Sequence, residues 1–533
     1  MRLSALRARS DASSGSDCRV GPSATTDLAR TPGAGAAASG RERDWPGRET
    51  ARCDETGLAG GTVTATIAEL AAGYRDGSRS PVEATEECLT AIASLDGRVG
   101  AWQAVYADEA RVAAEAAEVA LTLAAGEPVG PFWGVPFALK DIVDVEGRVT
   151  TAGSAEWASR VSPATGTVAR RLLEAGGVLL GKTKTVEFAM GGWGTNQHMG
   201  TPWNPWDPAV LRTPGGSSSG SGAAVAAGMA PCAVGTDTGG SVRLPAALCG
   251  IVGLKTTEGL LPIDGIVPLS HTLDTPGPLA RTVLDAALMF DAMLGTPAAE
   301  VERDWLAGGG RYGAMRMALE GGLGGRRIGC LSDAERAGVD AAQLAAYDAA
   351  LGVLAGLGAD VVAFDPPTSF EEMKNTRFVI VTAESYHYYG EMMEDPASKV
   401  DERVRARVLP GAAISASEYI AAMVQRRTDL AEFAEAFKGF DAMVTPTTPM
   451  LPLPVDEADE TNTPALFTRA GNFLALCSTT VPTGVSPAGP GGRLPTSIQF
   501  MCRGGDETLS LSLSAAYEAA RGPMPTPPLW AGG

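Results

Sequence analysis

RTPGGSSSGSGAAVAAGMAPCAVGTDTGGSVRLPAALCGIVGL runs from Arg212 to Leu254. It holds two glycine-rich turns, Pro214 to Ser221 and Gly235 to Ser241; an alanine-rich run follows the first, and Pro245-Ala246-Ala247-Leu248 follows the second. Short apolar runs, Ala233 to Gly235 and Val252 to Leu254, have the length of strands and are too brief for helices. Strand, turn and helix in alternation predict an α/β sheet with helices packed on its faces.

The same texture extends in both directions. Upstream, apolar runs at Val135 to Leu139 and Val178 to Leu180 bracket a helical segment, Val168 to Ala175. Downstream, residues 300 to about 440 read mostly as helices. Short strands return at Ala442 to Val444, Val481 to Val485 and Thr496 to Phe500, before a last helix near Leu509 to Ala519. The amino-terminal part is a helical layer: Ile67, Leu70 and Tyr74 keep helical spacing, and Ser80-Pro81 with Glu83 forms a capping box ahead of Leu89, Ile92 and Leu95. A third helix covers Asp108 to Ala124. Residues 1–60 differ, with Arg but no Lys, many small residues and no periodic apolar face, and are expected to be a disordered tail. Residues 526–533 form a second short tail.

Composition narrows the function. The 533-residue chain carries a formal net charge of -19, which repels nucleic acid and anionic membranes and leaves small molecules as the expected partners. No run approaches a membrane-spanning length. The eight cysteines are scattered without a CxxC pair, which fits buried thiols in a reducing, cytoplasmic setting.

Two motifs are decoys. Gly176 to Thr183, GGVLLGKT, matches the phosphate-loop pattern GxxxxGK followed by Ser or Thr. A true phosphate loop leaves a strand and opens a helix. Here a helix precedes the glycines and the apolar strand lies inside the motif, so a helix-to-strand turn is expected. Gly216 to Gly220, GSSSG, matches the nucleophile turn of α/β-hydrolases, but Arg212-Thr213-Pro214-Gly215 before it is no strand. A histidine triad would have to draw on His271 or His387, among three histidines in all.

A third constellation covers far more of the chain: Gly134-Val135-Pro136-Phe137-Ala138-Leu139-Lys140-Asp141, then Pro214 to Ser221, then Gly235-Thr236-Asp237-Thr238-Gly239-Gly240-Ser241-Val242-Arg243-Leu244-Pro245. Flanking matches are Gly181-Lys182-Thr183, Gly194-Thr195-Asn196, Asn204-Pro205-Trp206-Asp207 and Pro446-Thr447-Thr448-Pro449. Together these resemble the amidase signature family, over about Thr62 to Gly522; Ser219 departs from the pattern, where glycine or alanine is commoner. The resemblance implies one domain over 61–525, a single large mixed β-sheet with helices on both faces, and a variable, mostly helical substrate-side region at 300–440.

By that resemblance Ser241 is the nucleophile, Ser217 the relay hydroxyl and Lys140 the base, with the Gly216–Ser217 peptide cis. The main-chain N–H groups of Thr238, Gly239, Gly240 and Ser241 resemble the family's oxyanion hole, and Met190, Gly191 and Gly192 fall beside the scissile group. Asp237 and Arg243 read as ionic braces of the turn, and Asp141 and Asp207 as structural. No cofactor and no metal are implied. The chemistry needs an uncharged lysine, because an amide yields only to an activated nucleophile and a lysine at its ordinary value near ~10.4 is protonated at neutral pH. The apolar flank Phe137-Ala138-Leu139 supplies burial that lowers it.

Three readings remain open. The first is a hydrolase of small amides, anilides or carbamates, alone or as a homodimer. The second is an amidotransferase A-type subunit releasing ammonia from glutamine, and the third a non-catalytic binding protein on the same scaffold. The aromatic residues Phe378, Tyr386, His387, Tyr388 and Tyr389 suit either an aryl-binding site or core packing.

Overall fold

The computed structural model describes residues 64–124, 129–487 and 492–528. The expected amino-terminal tail, Cys18, Cys53 and the last five residues lie outside the described residues. Eleven strands join one sheet: β1 (Trp102–Val105), β2 (Pro136–Lys140), β3 (Val178–Thr183), β4 (Cys232–Asp237), β5 (Val252–Lys255), β6 (Thr275–Ala280), β7 (Arg327–Cys330), β8 (Asp360–Ala363), β9 (Ala442–Pro446), β10 (Cys477–Val485) and β11 (Pro495–Cys502). Their spatial order is β1-β3-β2-β4-β6-β5-β10-β11-β9-β7-β8. Strands β3, β2 and β4 run parallel, as do β9, β7 and β8. Antiparallel β6, β5, β10 and β11 link the two parallel groups.

Both faces of the sheet are covered, which is why its strands read as continuous apolar runs. Alternate residues of β2 and β4 go to different cores: Phe137, Leu139, Cys232 and Val234 join one cluster, Ala138 and Ala233 the other. The first cluster takes helix Val283–Leu294 and the second takes helix Ser219–Ala226. The second helix can lie close because its Gly and Ala side chains are minimal.

The capping box at Ser80 forms as expected, with Ser80 Oγ accepting from Glu83 N and Glu83 reaching back to Ser80 N. Within GGVLLGKT, helix Thr167–Glu174 comes first and β3 lies inside the motif, so the segment is a helix-to-strand turn. A side chain at Gly181 would collide with the Ala104 carbonyl of β1 at 2.2 Å. That glycine therefore serves the close approach of two strands.

The sequence reading missed four strands, for different reasons. Strand β6 contains Pro276 and Pro278, which argue against a mid-sheet position. Residues two apart turn their missing N–H groups to the same side, so only one neighbour loses donors. Strands β7 and β8 are four residues long and sit inside the region read as helical, while β1 lies between two helices. Elsewhere residues 298–436 are mostly helical, with long helices at Phe370–Glu394 and Ala416–Ala436. Among the described residues no helix is long and apolar enough to cross a membrane.

Candidate active site

The carboxyl end of β2 carries Lys140 into the interior, where it is wholly buried. Its Nζ lies 2.7 Å from Ser217 Oγ and 2.8 Å from Thr236 Oγ1 of β4. Both partners are neutral hydroxyls. Burial pulls the ammonium down to about 7, against the opposing pull of Asp274 and Asp237. A lysine so placed is substantially uncharged at neutral pH and can take a proton.

Ser217 follows the cis peptide Gly216–Ser217. Its carbonyl accepts from Val186 N at 3.2 Å and Thr185 Oγ1 at 3.0 Å, which fixes the loop against the end of β3. Gly216 N donates to the Gly192 carbonyl at 2.8 Å, so the expected acyl-side residues and the serine loop are laced together. Ser218 N donates to the Ser241 carbonyl at 3.3 Å, bringing the two serine-bearing turns side by side.

The turn after β4 is organised by Asp237. Its carboxylate accepts from Gly240 N at 2.7 Å and Val242 N at 3.1 Å, and from Arg243 Nη2 and Nε, each at 3.0 Å. Burial alone would push this carboxyl up; the Arg243 charge and hydrogen bonds, with Lys255, hold it well below the usual carboxylate range. Arg243 is completed by Gln499 Oε1 at 2.9 Å and Asn472 Oδ1 at 2.8 Å. Asp237 and Arg243 thus brace the turn.

Of the four N–H groups expected to form the oxyanion hole, that of Gly240 already has a partner. Its N–H is engaged by Asp237, because the carboxylate that shapes the turn needs a donor inside it. The N–H groups of Thr238, Gly239 and Ser241 take no protein acceptor among the described residues.

Ser241 lines an open pocket of about 380 Å³ together with Met190, Gly191, Gly192, Thr238 and Gly239. The turn leading to Met190 holds Phe188 and Ala189 at left-handed φ of 47° and 59°. Such conformations are rare for side-chain-bearing residues and persist where surroundings enforce them. Phe188 is enforced by stacking on Tyr389 at 4.1 Å between ring centroids and by Trp157 at its edge.

The sequence reading missed several groups at the site. Thr236 stands within a recognised motif, yet nothing in the sequence gives it a role. Asp274 is buried, held above its ordinary value by desolvation, and bonded by Thr238 Oγ1. Three arginines, Arg377, Arg407 and Arg469, also line the pocket, each from the carboxyl-terminal half and with no motif around it. The aromatic cluster does not line the pocket: Phe378 is exposed, Tyr388 contacts His271, and Tyr389 packs behind Phe188.

A family model for amidases matches residues 83–511. The A-type subunit of glutamyl-tRNA(Gln) amidotransferase from Salinispora arenicola is 36% identical over 493 residues, covering 87% of this chain and 98% of that protein. The 2-amino-5-chloromuconic acid deaminase of Comamonas testosteroni is 34% identical, covering 86% of this chain and 96% of its own. A crystal structure of a peptide amidase with the competitive inhibitor chymostatin superposes with a TM-score of 0.72 at 28% identity, over 87% of this chain and 99% of that one. The fold and relatives define an amidase, a hydrolase acting on carbon–nitrogen bonds. The chain belongs to the amidase signature family.

Proposed function

We propose that the protein hydrolyses small linear amides through a covalent acyl-enzyme on Ser241, with Ser217 and Lys140 moving the protons. The observation that carries this reading is a fully buried lysine whose partners are two hydroxyls, one of them Ser217. Neutral Lys140 takes the Ser217 proton as Ser217 takes that of Ser241, and Ser241 Oγ adds to the amide carbonyl. The oxygen of the tetrahedral species gains charge facing the N–H groups of Gly239 and Ser241, with Thr238 beside them. Ser217 then protonates the departing nitrogen, the C–N bond breaks, and Lys140 restores the Ser217 proton. Water, activated by the same pair, cleaves the ester and releases the acid.

A fluorophosphonate probe tests this directly. Wild type should gain the probe's mass on Ser241, and Lys140→Arg should not, because a guanidinium keeps its proton. Labelling of Lys140→Arg at the wild-type rate would overturn the assignment.

The near-complete coverage of an amidotransferase A-type chain favours a second reading, release of ammonia from glutamine for a partner chain. The deaminase match favours the free-standing hydrolase. Ammonia release from glutamine by the purified chain, measured beside simple amides, separates the two. The six described cysteines are all free thiols, which supports work in a reducing cytoplasm.

A further inference from the structure

Three arginines line the pocket in front of Ser241, and one of them has an ion-pair partner among the described residues. Arg407 Nη1 donates to the Met190 carbonyl at 3.0 Å and to Glu460 Oε2 at 3.2 Å, and so has an ion-pair partner. Arg377 donates from Nε and Nη2 to the Thr238 carbonyl, at 3.3 and 2.9 Å. Arg469 donates from Nη2 to Thr463 Oγ1 at 2.6 Å. Neither Arg377 nor Arg469 makes an ion pair among the described residues, although Glu371 lies near enough to Arg469, and Asp237 and Asp274 near enough to Arg377, to be felt. Three half-buried guanidinium groups therefore share one close carboxylate, Glu460, on the wall of a single pocket.

Bringing buried guanidinium groups together is costly. Burial and mutual repulsion pull Arg377 down to about 9 and Arg469 to about 10, which still leaves both charged at neutral pH. Each guanidinium has five N–H donors and these bonds use only some of them, so donors remain for a ligand. In a chain with a net charge of -19, three arginines on one wall concentrate positive potential at that opening. The fork of a guanidinium matches paired oxygens of a carboxylate or a phosphate alike, so the test below carries an arm for each.

We infer that the substrate is a dicarboxylic acid monoamide, its free carboxylate held by Arg377 and Arg469 while its amide carbonyl meets Ser241. This rests on the acyl-enzyme reading and places the charge on the acyl portion, because the pocket is walled by Met190, Gly191 and Gly192. Leu244, Leu269 and Val381 supply an apolar lining for the short chain between the two groups.

The test measures ammonia release from succinamate and glutaramate against their neutral methyl esters, with 3-phosphonopropanamide as the phosphonate arm. Wild type should prefer the free acids by about 100-fold in kcat/KM, mostly through KM, the size expected of charge-assisted contacts. Raised salt should erode that preference. In Arg469→Gln the preference should fall by at least about tenfold, and Arg469→Lys should restore part of it. Because either variant can lose stability, glutarate binding to wild type is titrated as well; micromolar to millimolar binding, absent with dimethyl glutarate, supports the inference.

Equal rates on acids and esters, with fluorophosphonate still labelling Ser241, would overturn the carboxylate site and leave the acyl-enzyme reading standing. A preference for the phosphonate over both carboxylates would overturn it too. Failure to label, with glutarate still bound, would remove the acyl-enzyme reading and the assignment of a substrate with it.

Discussion

Lys140 and Lys182 stand on adjacent parallel strands, with Leu139 opposite Lys182 and Lys140 opposite Thr183. Both are fully buried, and burial lowers both. Their surroundings differ in one respect. Lys182 faces the Asp141 carboxylate at 3.5 Å and contacts Thr150, whereas Lys140 has only the hydroxyls of Ser217 and Thr236. A third buried lysine, Lys255, donates to the Thr256 and Leu476 carbonyls at 2.7 Å each and is drawn down to about 8. On the proposed mechanism, then, burial alone does not make a proton carrier. A carboxylate partner holds the ammonium form in place, while hydroxyl partners let the proton leave and return.

The strongest way to break this contrast is to exchange the two lysines' fates. Lys140→Arg and Ser241→Ala should each lower kcat by about 10⁴-fold or more, read by product formation, with circular dichroism unchanged. Lys182→Met should leave kcat within about fivefold but cost roughly 3 kcal/mol in denaturant unfolding, because Asp141 loses its buried cation. If Lys182→Met killed turnover in a folded protein and Lys140→Arg spared it, the roles would be reversed.

The pH profile sharpens the contrast next. In the proposed mechanism Lys140 acts when neutral, and burial draws it down to about 7, so kcat/KM should be level above that pH and fall about tenfold per unit below it. An acid limb near pH 4, the signature of a carboxylate base, would contradict it.

Thr236→Val is a smaller and more selective change. It keeps the shape and removes one of the two hydroxyls at Lys140 Nζ. Since a hydroxyl dipole favours the ammonium over the amine, its loss should move the acid limb to lower pH and reduce kcat by about tenfold through poorer placement of the amine. An unmoved limb would make Thr236 a packing residue.

The smallest effect is expected at the aromatic cluster. Phe378 is 51% exposed and absent from the pocket wall, so Phe378→Ala should alter kcat/KM by less than about twofold and stability by at most about 0.5 kcal/mol. A larger kinetic effect would return the cluster to the substrate site.

The contrast between the two lysines also marks where the sequence is legible. Lys140, Ser217 and Ser241 lie in turns whose glycine content betrays special backbone, and strands β2 to β5 read as apolar runs because both their faces are buried. Lys182 sits in a run just as apolar, and nothing local distinguishes it; Asp141 becomes its partner only through the parallel pairing of β2 and β3. Arg377, Arg407 and Arg469 are invisible in the sequence for the same reason. They lie on separate segments of the carboxyl-terminal half and meet only at the pocket. Gly240 reads as a donor to substrate when N–H groups are counted without asking which one Asp237 will claim.

The bracing of Arg243 by Asn472 and Gln499 has a consequence for biosynthesis. The turn bearing Ser241 leaves the ribosome more than two hundred residues before the partners that fill the hydrogen-bonding capacity of its arginine, at sequence separations of 229 and 256. The proposed nucleophile therefore waits, translated but without its full bracing, until β11 is made. Fragments ending before Gln499 should be inert, so hydrolytic activity is expected only after β11 has been translated.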